Sequence, residues 1–431
     1  MKKICLSCFL FLLCLASCLA QENAPAGPFS LDECIAMACV VNPDLAIARN
    51  NLESSGTNVT RALSQYFPQL SLSNDTFEIA EKKHRTMDKG TTLSASLKLF
   101  DMGLRELNLS AARSSREQQQ QNYYRTLQTV VFNVSRAYYN LLKNRELLEV
   151  SRSAVEYYEQ LEKETQAQIE QGVAAPVDIL SIQSQLANSR VSLLTGQSNA
   201  KEALNDLQNT IGLPITEGFD VKGGAPEDDR ELESLEEYIR LALDHRSDLT
   251  AQDHAVKAAE TDKKIAQREY LPKLDVTGSY NRYFDRDRLY TSDARIMGTI
   301  SFNVFDGFSR EATVKARKLS LDNARITRED LVNDITHAVT SLYSDILIAR
   351  DQIEASKAGL EAARKNREVQ TEKYSADMAT NLDILNAQMQ LDTALSNSIN
   401  SKYNYKIDLI EMDYQTGTIG IIGVDQNEKE E

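Results

Sequence analysis

The chain has 431 residues, 26% of them charged, and a formal net charge of −15. That acidic balance excludes the basic footprint needed to hold nucleic acid or the cytoplasmic face of a membrane. Cys5, Cys8, Cys14 and Cys18 fall in the first twenty residues, which leaves Cys34 and Cys39 beyond them and excludes a disulfide framework.

Lys2 and Lys3, the apolar stretch Ile4 to Ala16 and the small residues Ser17 to Ala20 have the layout of a secretory signal peptide over residues 1–20. Two processing routes are written there. Leu15-Ala16-Ser17-Cys18 fits a lipoprotein box with Cys18 as the acylated residue and a leader ending at 17, while Ala20 fits ordinary cleavage. Beyond residue 20 no apolar run approaches the roughly 18 residues a spanning helix requires, so any membrane crossing must be made by a β-barrel.

The chain is then written twice. Ser30-Leu31-Asp32-Glu33 and Tyr66-Phe67-Pro68-Gln69-Leu70 return as Ser234-Leu235-Glu236-Glu237 and Tyr270-Leu271-Pro272-Lys273-Leu274, at an offset of 204. Phe100-Asp101 returns as Phe305-Asp306, Asp178-Ile179-Leu180 as Asp383-Ile384-Leu385 and Gly212 as Gly417, at 205. The repeats cover 28–213 and 234–420, with a linker over 214–233 rich in Gly, Pro and acid and an acidic tail over 421–431.

Each repeat reads in one order. A short helix starts at a Ser cap with an acid three residues on (Ser30 and Glu33, Ser234 and Glu237), and a second runs from Asp44 to Tyr66 or Asp248 to Tyr270 until proline stops it. Cys34 and Cys39 point in different directions from the first helix and read as small apolar filler. A β-hairpin follows, about 69–100 in one repeat and about 273–305 in the other. Its clearest strands alternate Leu93, Ala95, Leu97, Leu99 with Ser94, Ser96, Lys98, and Ile296, Gly298, Ile300, Phe302, Val304 with Met297, Thr299, Ser301, Asn303.

Very long helices come next. No Gly or Pro interrupts Leu104 to Gln171, and only Gly359 interrupts Phe308 to Asp377. At the α-helical rise each spans roughly 100 Å. The apolar rows Leu127, Val131, Val134, Tyr138, Leu141 and Leu331, Ile335, Ala338, Leu342, Ile346 step by four and three, so a neighbouring helix must cover them. After a breaker, return helices run from Val177 to about Asn209 and from Leu382 to about Tyr414.

Four amphipathic strands are too few to close a barrel, so other copies of the chain must complete the sheet. The two-fold repeat, Asn42-Pro43-Asp44-Leu45, Phe67-Pro68-Gln69-Leu70, Phe305-Asp306-Gly307 and Gly172 ahead of Asp178-Ile179-Leu180 together resemble the TolC family of outer-membrane efflux proteins over residues 28 to 420. The resemblance implies a mainly α protein with a membrane β-barrel. In a homotrimer, four strands per chain would complete a twelve-stranded barrel in outer-membrane lipid, and the helices a periplasmic tunnel. It further implies the exit channel of a tripartite efflux pump or type I secretion system, docked to a periplasmic adaptor (membrane fusion) protein and through it to an inner-membrane transporter. It implies no enzymatic activity, cofactor or metal.

The resemblance also carries candidate site residues. The breakers Gly172, Val173, Ala174, Ala175, Pro176 and Asp377, Met378, Ala379 would meet the adaptor; they also read as plain interhelical turns. Asp383 matches one of two acidic positions at the family's narrow periplasmic entrance, and Asn386 stands at the second, which weakens such a ring; Asp383 also suits the first turn of its helix. Asp178 and Tyr374 match a pair that helps hold the entrance closed, though Ala379 replaces a basic partner of that network. The histidines show no ligand spacing, and Asp253-His254 reads as two polar residues on a helix face. The competing reading, a periplasmic coiled-coil scaffold or adaptor without a channel, does not explain alternating strands placed identically in both repeats.

Overall fold

A computed structural model describes residues 28–81, 84–172, 175–216, 218–224, 230–284, 290–376 and 378–420. The leader with Cys18, the breaker residues Val173, Ala174 and Asp377, and the acidic tail lie outside the described residues. The elements are α1 (Leu31–Val41), α2 (Pro43–Ser64), β1 (Gln69–Glu81), β2 (His84–Phe100), α3 (Leu104–Glu170), α4 (Pro176–Ile211), α5 (Leu235–His245), α6 (Ser247–Arg268), β3 (Lys273–Phe284), β4 (Tyr290–Ser301), α7 (Ser309–Ser375) and α8 (Asn381–Gln415). The repeat governs their ends. α1 and α2 map onto α5 and α6 at 204, and α3, with 67 residues, maps onto α7, also with 67, at 205. No described helix is long and apolar enough to cross a membrane.

The chain divides into two compact units. One, from residues 47–125 and 246–334, holds an antiparallel sheet in the order β1-β2-β3-β4. Gln69 pairs with Ser96 in the first hairpin and Lys273 with Ser301 in the second, so the two registers superpose under the repeat offsets. The pairing sorts side chains by chemistry. Leu70, Ala95, Gly278 and Ile296 form one cross-strand row, and Leu72, Leu93, Tyr280 and Ala294 another. The opposite face carries rows such as Ser71, Ser94, Ser279 and Arg295, with the Ser71 and Ser94 hydroxyls bonded at 2.7 Å. Over the rows from Leu274 to Tyr280 of β3 one face is therefore apolar and the other mainly polar, with Met297 the exception, while the next row on the first face, Asn74, Thr91, Arg282 and Ser292, is polar. Among the described residues both outer edges, β1 and β4, lack a partner strand.

One boundary departs from the alternation pattern. β4 stops at Ser301, although period-two alternation continues to Val304. The reason is pairing. Leu97, Lys98 and Phe100, the last residues of β2, are held by Val276, Asp275 and Leu274 of β3, whereas their counterparts Phe302, Asn303 and Phe305 have no described strand beside them.

At both strand-to-helix junctions the same clasp forms. Asp101 accepts from the backbone N–H and Nε of Arg105, each at 3.1 Å, and that guanidinium lies 5.0 Å from the centre of the Tyr66 ring. In the second repeat Arg310 Nε donates to Asp306 at 2.8 Å and covers Tyr270 at 4.7 Å. A cation over an aromatic face, held by a carboxylate, ties the start of the long helix to the end of the proline-stopped one. Asp253 and His254 each have a partner within the fold: His254 Nδ1 lies 3.0 Å from Glu117, and Asp253 pairs with Arg328.

The other unit comprises residues 1–46, 126–245 and 335–431. Here Leu127, Val131, Val134, Tyr138 and Leu141 are buried as their spacing requires, as are Ile335, Leu342 and Ile346. The Ser30–Glu33 capping box is complete, with Ser30 N–H donating to the Glu33 carboxylate at 2.6 Å and Glu33 N–H to Ser30 Oγ at 3.3 Å. Its repeat is half-made: Glu237 N–H donates to Ser234 Oγ, but the Glu237 carboxylate turns to Arg240. Cys34 is buried and Cys39 half-buried, both free. The linker is more than a tether. Val221 forms a parallel bridge with Phe29, Phe219 stacks on Phe29 at 5.2 Å, and Arg145 Nη1 donates to the Val221 carbonyl at 3.0 Å.

Candidate functional site

The two breakers supply the site. After α3, Gly172 adopts φ +74°, a conformation that costs glycine nothing, and its N–H donates to the Ile169 carbonyl at 2.9 Å. α4 opens with Pro176 in its first turn, and Asp178 accepts from the Ala175 N–H at 3.3 Å. After α7, Met378 N–H donates to the Lys373 carbonyl at 2.8 Å. Thr380 then caps α8: its N–H and hydroxyl donate to the Asp383 carboxylate at 2.9 and 2.6 Å, and Asp383 N–H donates to the Thr380 oxygen. The Thr380 hydroxyl first, then its amide, hold the Asp383 carboxyl below the usual carboxylate range. Asp383 thereby completes the capping box at the start of α8.

The breakers are tied together by a residue whose role the sequence pattern did not specify. Asn381, buried at the head of α8, donates from Nδ2 to the Asp178 carbonyl at 3.0 Å. Tyr374 donates its hydroxyl to Gln168 Oε1 at 3.3 Å. Asp178 and Tyr374 thus each take part in a link between the two helical hairpins, through Asn381 and Gln168 and not through each other. No signal in one sequence marks Gln168, since a glutamine on a solvated helix is common. Beneath these links, Tyr158, Leu161, Ile182, Leu186, Ile384 and Leu385 form a buried cluster against which Tyr374 packs. Val177, Leu180, Met378 and Leu382 remain more than 60% exposed around the breakers and make an apolar rim there. Asn386 is exposed and lines a groove with Gly359, Ala362, Ala363, Asn366 and Met389.

Further along α8, Asp392 accepts from Gln388 Nε2 at 2.8 Å, and Arg367 stacks 5.0 Å from the Tyr157 ring centre. Burial pushes the Asp392 carboxyl up to about 6, against the opposing pull of the Gln388 hydrogen bond and the Arg367 charge. A raised carboxyl is protonated in both folded and unfolded chains at low pH. As pH climbs from about 4 through 6 the unfolded chain loses its proton first, so stability falls across that window. Asp392→Asn is therefore expected to raise the thermal midpoint at pH 7.5 and to leave it nearly unchanged at pH 4. A tenfold difference in proton affinity between folded and unfolded chains corresponds to about 1.4 kcal/mol, which solvent screening reduces. Heat-induced loss of the folded species, followed at both pH values, checks this.

The sequence model of the family described as "Outer membrane efflux protein" matches residues 35–213 and 238–418. Among curated proteins, outer membrane protein TolC of Escherichia coli is 24% identical over 401 residues, covering 88% of this chain and 80% of that one. Alkaline protease secretion protein AprF of Pseudomonas aeruginosa is 23% identical over 308 residues, covering 68% of this chain and 62% of that protein's length. Among solved structures, the CmeC outer membrane channel of Campylobacter jejuni superposes with a TM-score of 0.79 at 17% identity, over 95% of this chain and 92% of that one. The outer membrane protein VceC of Vibrio cholerae gives 0.77 at 18%, over 90% and 97%. These structures share the fold, and the family model spans both repeats in the order the landmarks set, so the chain belongs to the outer membrane efflux protein, or TolC, family.

Proposed function

We propose that three copies of this chain close their sheets into one twelve-stranded barrel and serve as an exit duct of the outer membrane, for a tripartite efflux pump or a type I secretion system. The observation that carries the reading is the four-stranded sheet of the family fold, with an apolar band of rows from Leu274 to Tyr280 on one face, mainly polar residues behind it, and both described edges open. In lipid every backbone polar group must be paired, and a sheet with open edges meets that requirement only by closing with its copies. A soluble scaffold would have no use for such a face.

In this reading the breakers form the periplasmic tip. The exposed Val177, Leu180, Met378 and Leu382 offer a periplasmic adaptor an apolar rim, and the adaptor joins the duct to an inner-membrane transporter. The Asn381–Asp178 and Tyr374–Gln168 bonds tie the hairpins and hold the tip narrow. Each bond is worth about 1 kcal/mol, so removing one shifts a closed–open balance roughly fivefold. Tyr374→Phe and Asn381→Ala are each expected to raise single-channel conductance or open time in planar bilayers, and more so together. Unchanged records from both variants would remove the gate from this account, while absence of any channel from the parent protein would remove the duct.

A further inference from the structure

The repeat fixes how one copy meets the next. The two hairpins have the same register once the offsets of 204 (β1 to β3) and 205 (β2 to β4) are applied. Inside the chain there is also a junction between the repeats, where β2 lies against β3 with Ser96 opposite Thr277, Leu97 opposite Val276 and Lys98 opposite Asp275, then a bulge, then Phe100 opposite Leu274. A closed ring of such units needs a second junction of the same kind, from the outer edge of β4 to the outer edge of a neighbour's β1.

We propose that this seam repeats the internal junction residue for residue: Ser301 opposite Ser73 of the next copy, Phe302 opposite Leu72, Asn303 opposite Ser71 and, after a bulge, Phe305 opposite Leu70. The inference rests on the trimeric reading above and adds its register. Three observations support it. The chemistry matches, because both Phe–Leu pairs put apolar side chains together and the Ser301–Ser73 and Asn303–Ser71 pairs put polar ones together; a slip of one residue would set Phe302 against Ser71 and Ser301 against Leu72. The four apolar residues, Leu70, Leu72, Phe302 and Phe305, are 58–72% exposed in the single chain. Finally, residues 302–305 lie outside the strand although their counterparts in β2 are paired, and the neighbour's β1 would supply the missing pairing and extend β4 to Phe305. A two-residue slip would also keep faces matched, by placing Ile300 on Leu72, but it departs from the internal junction and carries Phe305 past Gln69, where β1 begins.

The seam is not a perfect copy. In the internal junction Arg268, at the end of α6, donates to the Met102 carbonyl at 2.7 Å. Under the offsets its counterpart is Ser64 and that of Met102 is Gly307, so no arginine bridges the turn at the seam.

Cysteine pairs read the register directly, since facing residues on antiparallel strands fall within disulfide reach. In full-length protein carrying Cys39→Ala, the pair Ser301→Cys with Ser73→Cys is expected to give covalent dimers and trimers on non-reducing denaturing gels after mild oxidation. Ser301→Cys with Ser71→Cys, the two-residue slip, and each single cysteine are expected to give at least tenfold less. Crosslinking that favours the Ser71 pair, or neither pair in a sample that is trimeric by native mass, would overturn the register and leave the duct standing. A folded sample that is monomeric in detergent would overturn the duct and the seam with it.

Discussion

Ile296→Arg is expected to empty the outer membrane of assembled protein, whereas Met297→Arg one residue along is expected to leave assembly in place. Ile296 sits mid-strand in the row with Leu70, Ala95 and Gly278 and is 87% exposed in the single chain. In the proposed barrel that face meets lipid. Arginine at the membrane midplane costs about 2–4 kcal/mol, and a three-fold ring carries the lesion three times, on the order of 10 kcal/mol per assembly. Met297 belongs to the otherwise polar row with Gln69, Ser96 and Thr277, which in the proposed barrel faces the water-filled interior. Membrane fractionation with unheated gel electrophoresis checks both, and equal loss from the two variants would refute the assignment of faces.

The second large effect concerns Gly212→Val. Gly212 ends α4 with φ +95°, its N–H donating to the Gln208 and Asn209 carbonyls. A Cβ there would lie 3.0 Å from the Val41 carbonyl oxygen and 3.1 Å from both Asn42 Cα and Pro43 Cδ. Asn42 cannot readily give way: its Oδ1 accepts from the Asp44 and Leu45 amides, and its Nδ2 donates to the Thr210 carbonyl at 2.9 Å. The left-handed backbone costs a branched residue about 1–2 kcal/mol and the collision about 1–3 more. Gly218→Val, at φ +104° with nothing within 4 Å, is expected to bear only the backbone cost. The fall in thermal midpoint should therefore be roughly twice as large for Gly212→Val, and equal falls would show that the collision is relieved.

Much of this architecture was legible because the sequence states it twice. Spacing alone gave the order of helices and hairpins, and the proline stops and glycine breakers bracketed the ends within a few residues. What stayed hidden depended on partners distant in sequence. The Arg105 and Arg310 clasps recur at the offset of 205, so the signal was present, but an arginine four residues after an aspartate on a helix reads first as an ordinary surface pair. Gln168 and Asn381 gain their roles only from what the second hairpin brings beside them. The alternation in 296–304 described side chains suited to a strand, yet a strand also needs a neighbour, and for 302–305 the described chain offers none. The linker's glycines and acids suggested a tether and concealed that Phe219 and Val221 pack against Phe29.

The open edges of the sheet bear on heredity as well as on structure. A ring of identical members fails when any one member fails, so a cell making sound and edge-damaged chains in equal amounts would assemble only about one fully sound duct in eight. Damage to either rim would then behave as dominant, while a chain too unstable to reach its partners would merely be absent and behave as recessive.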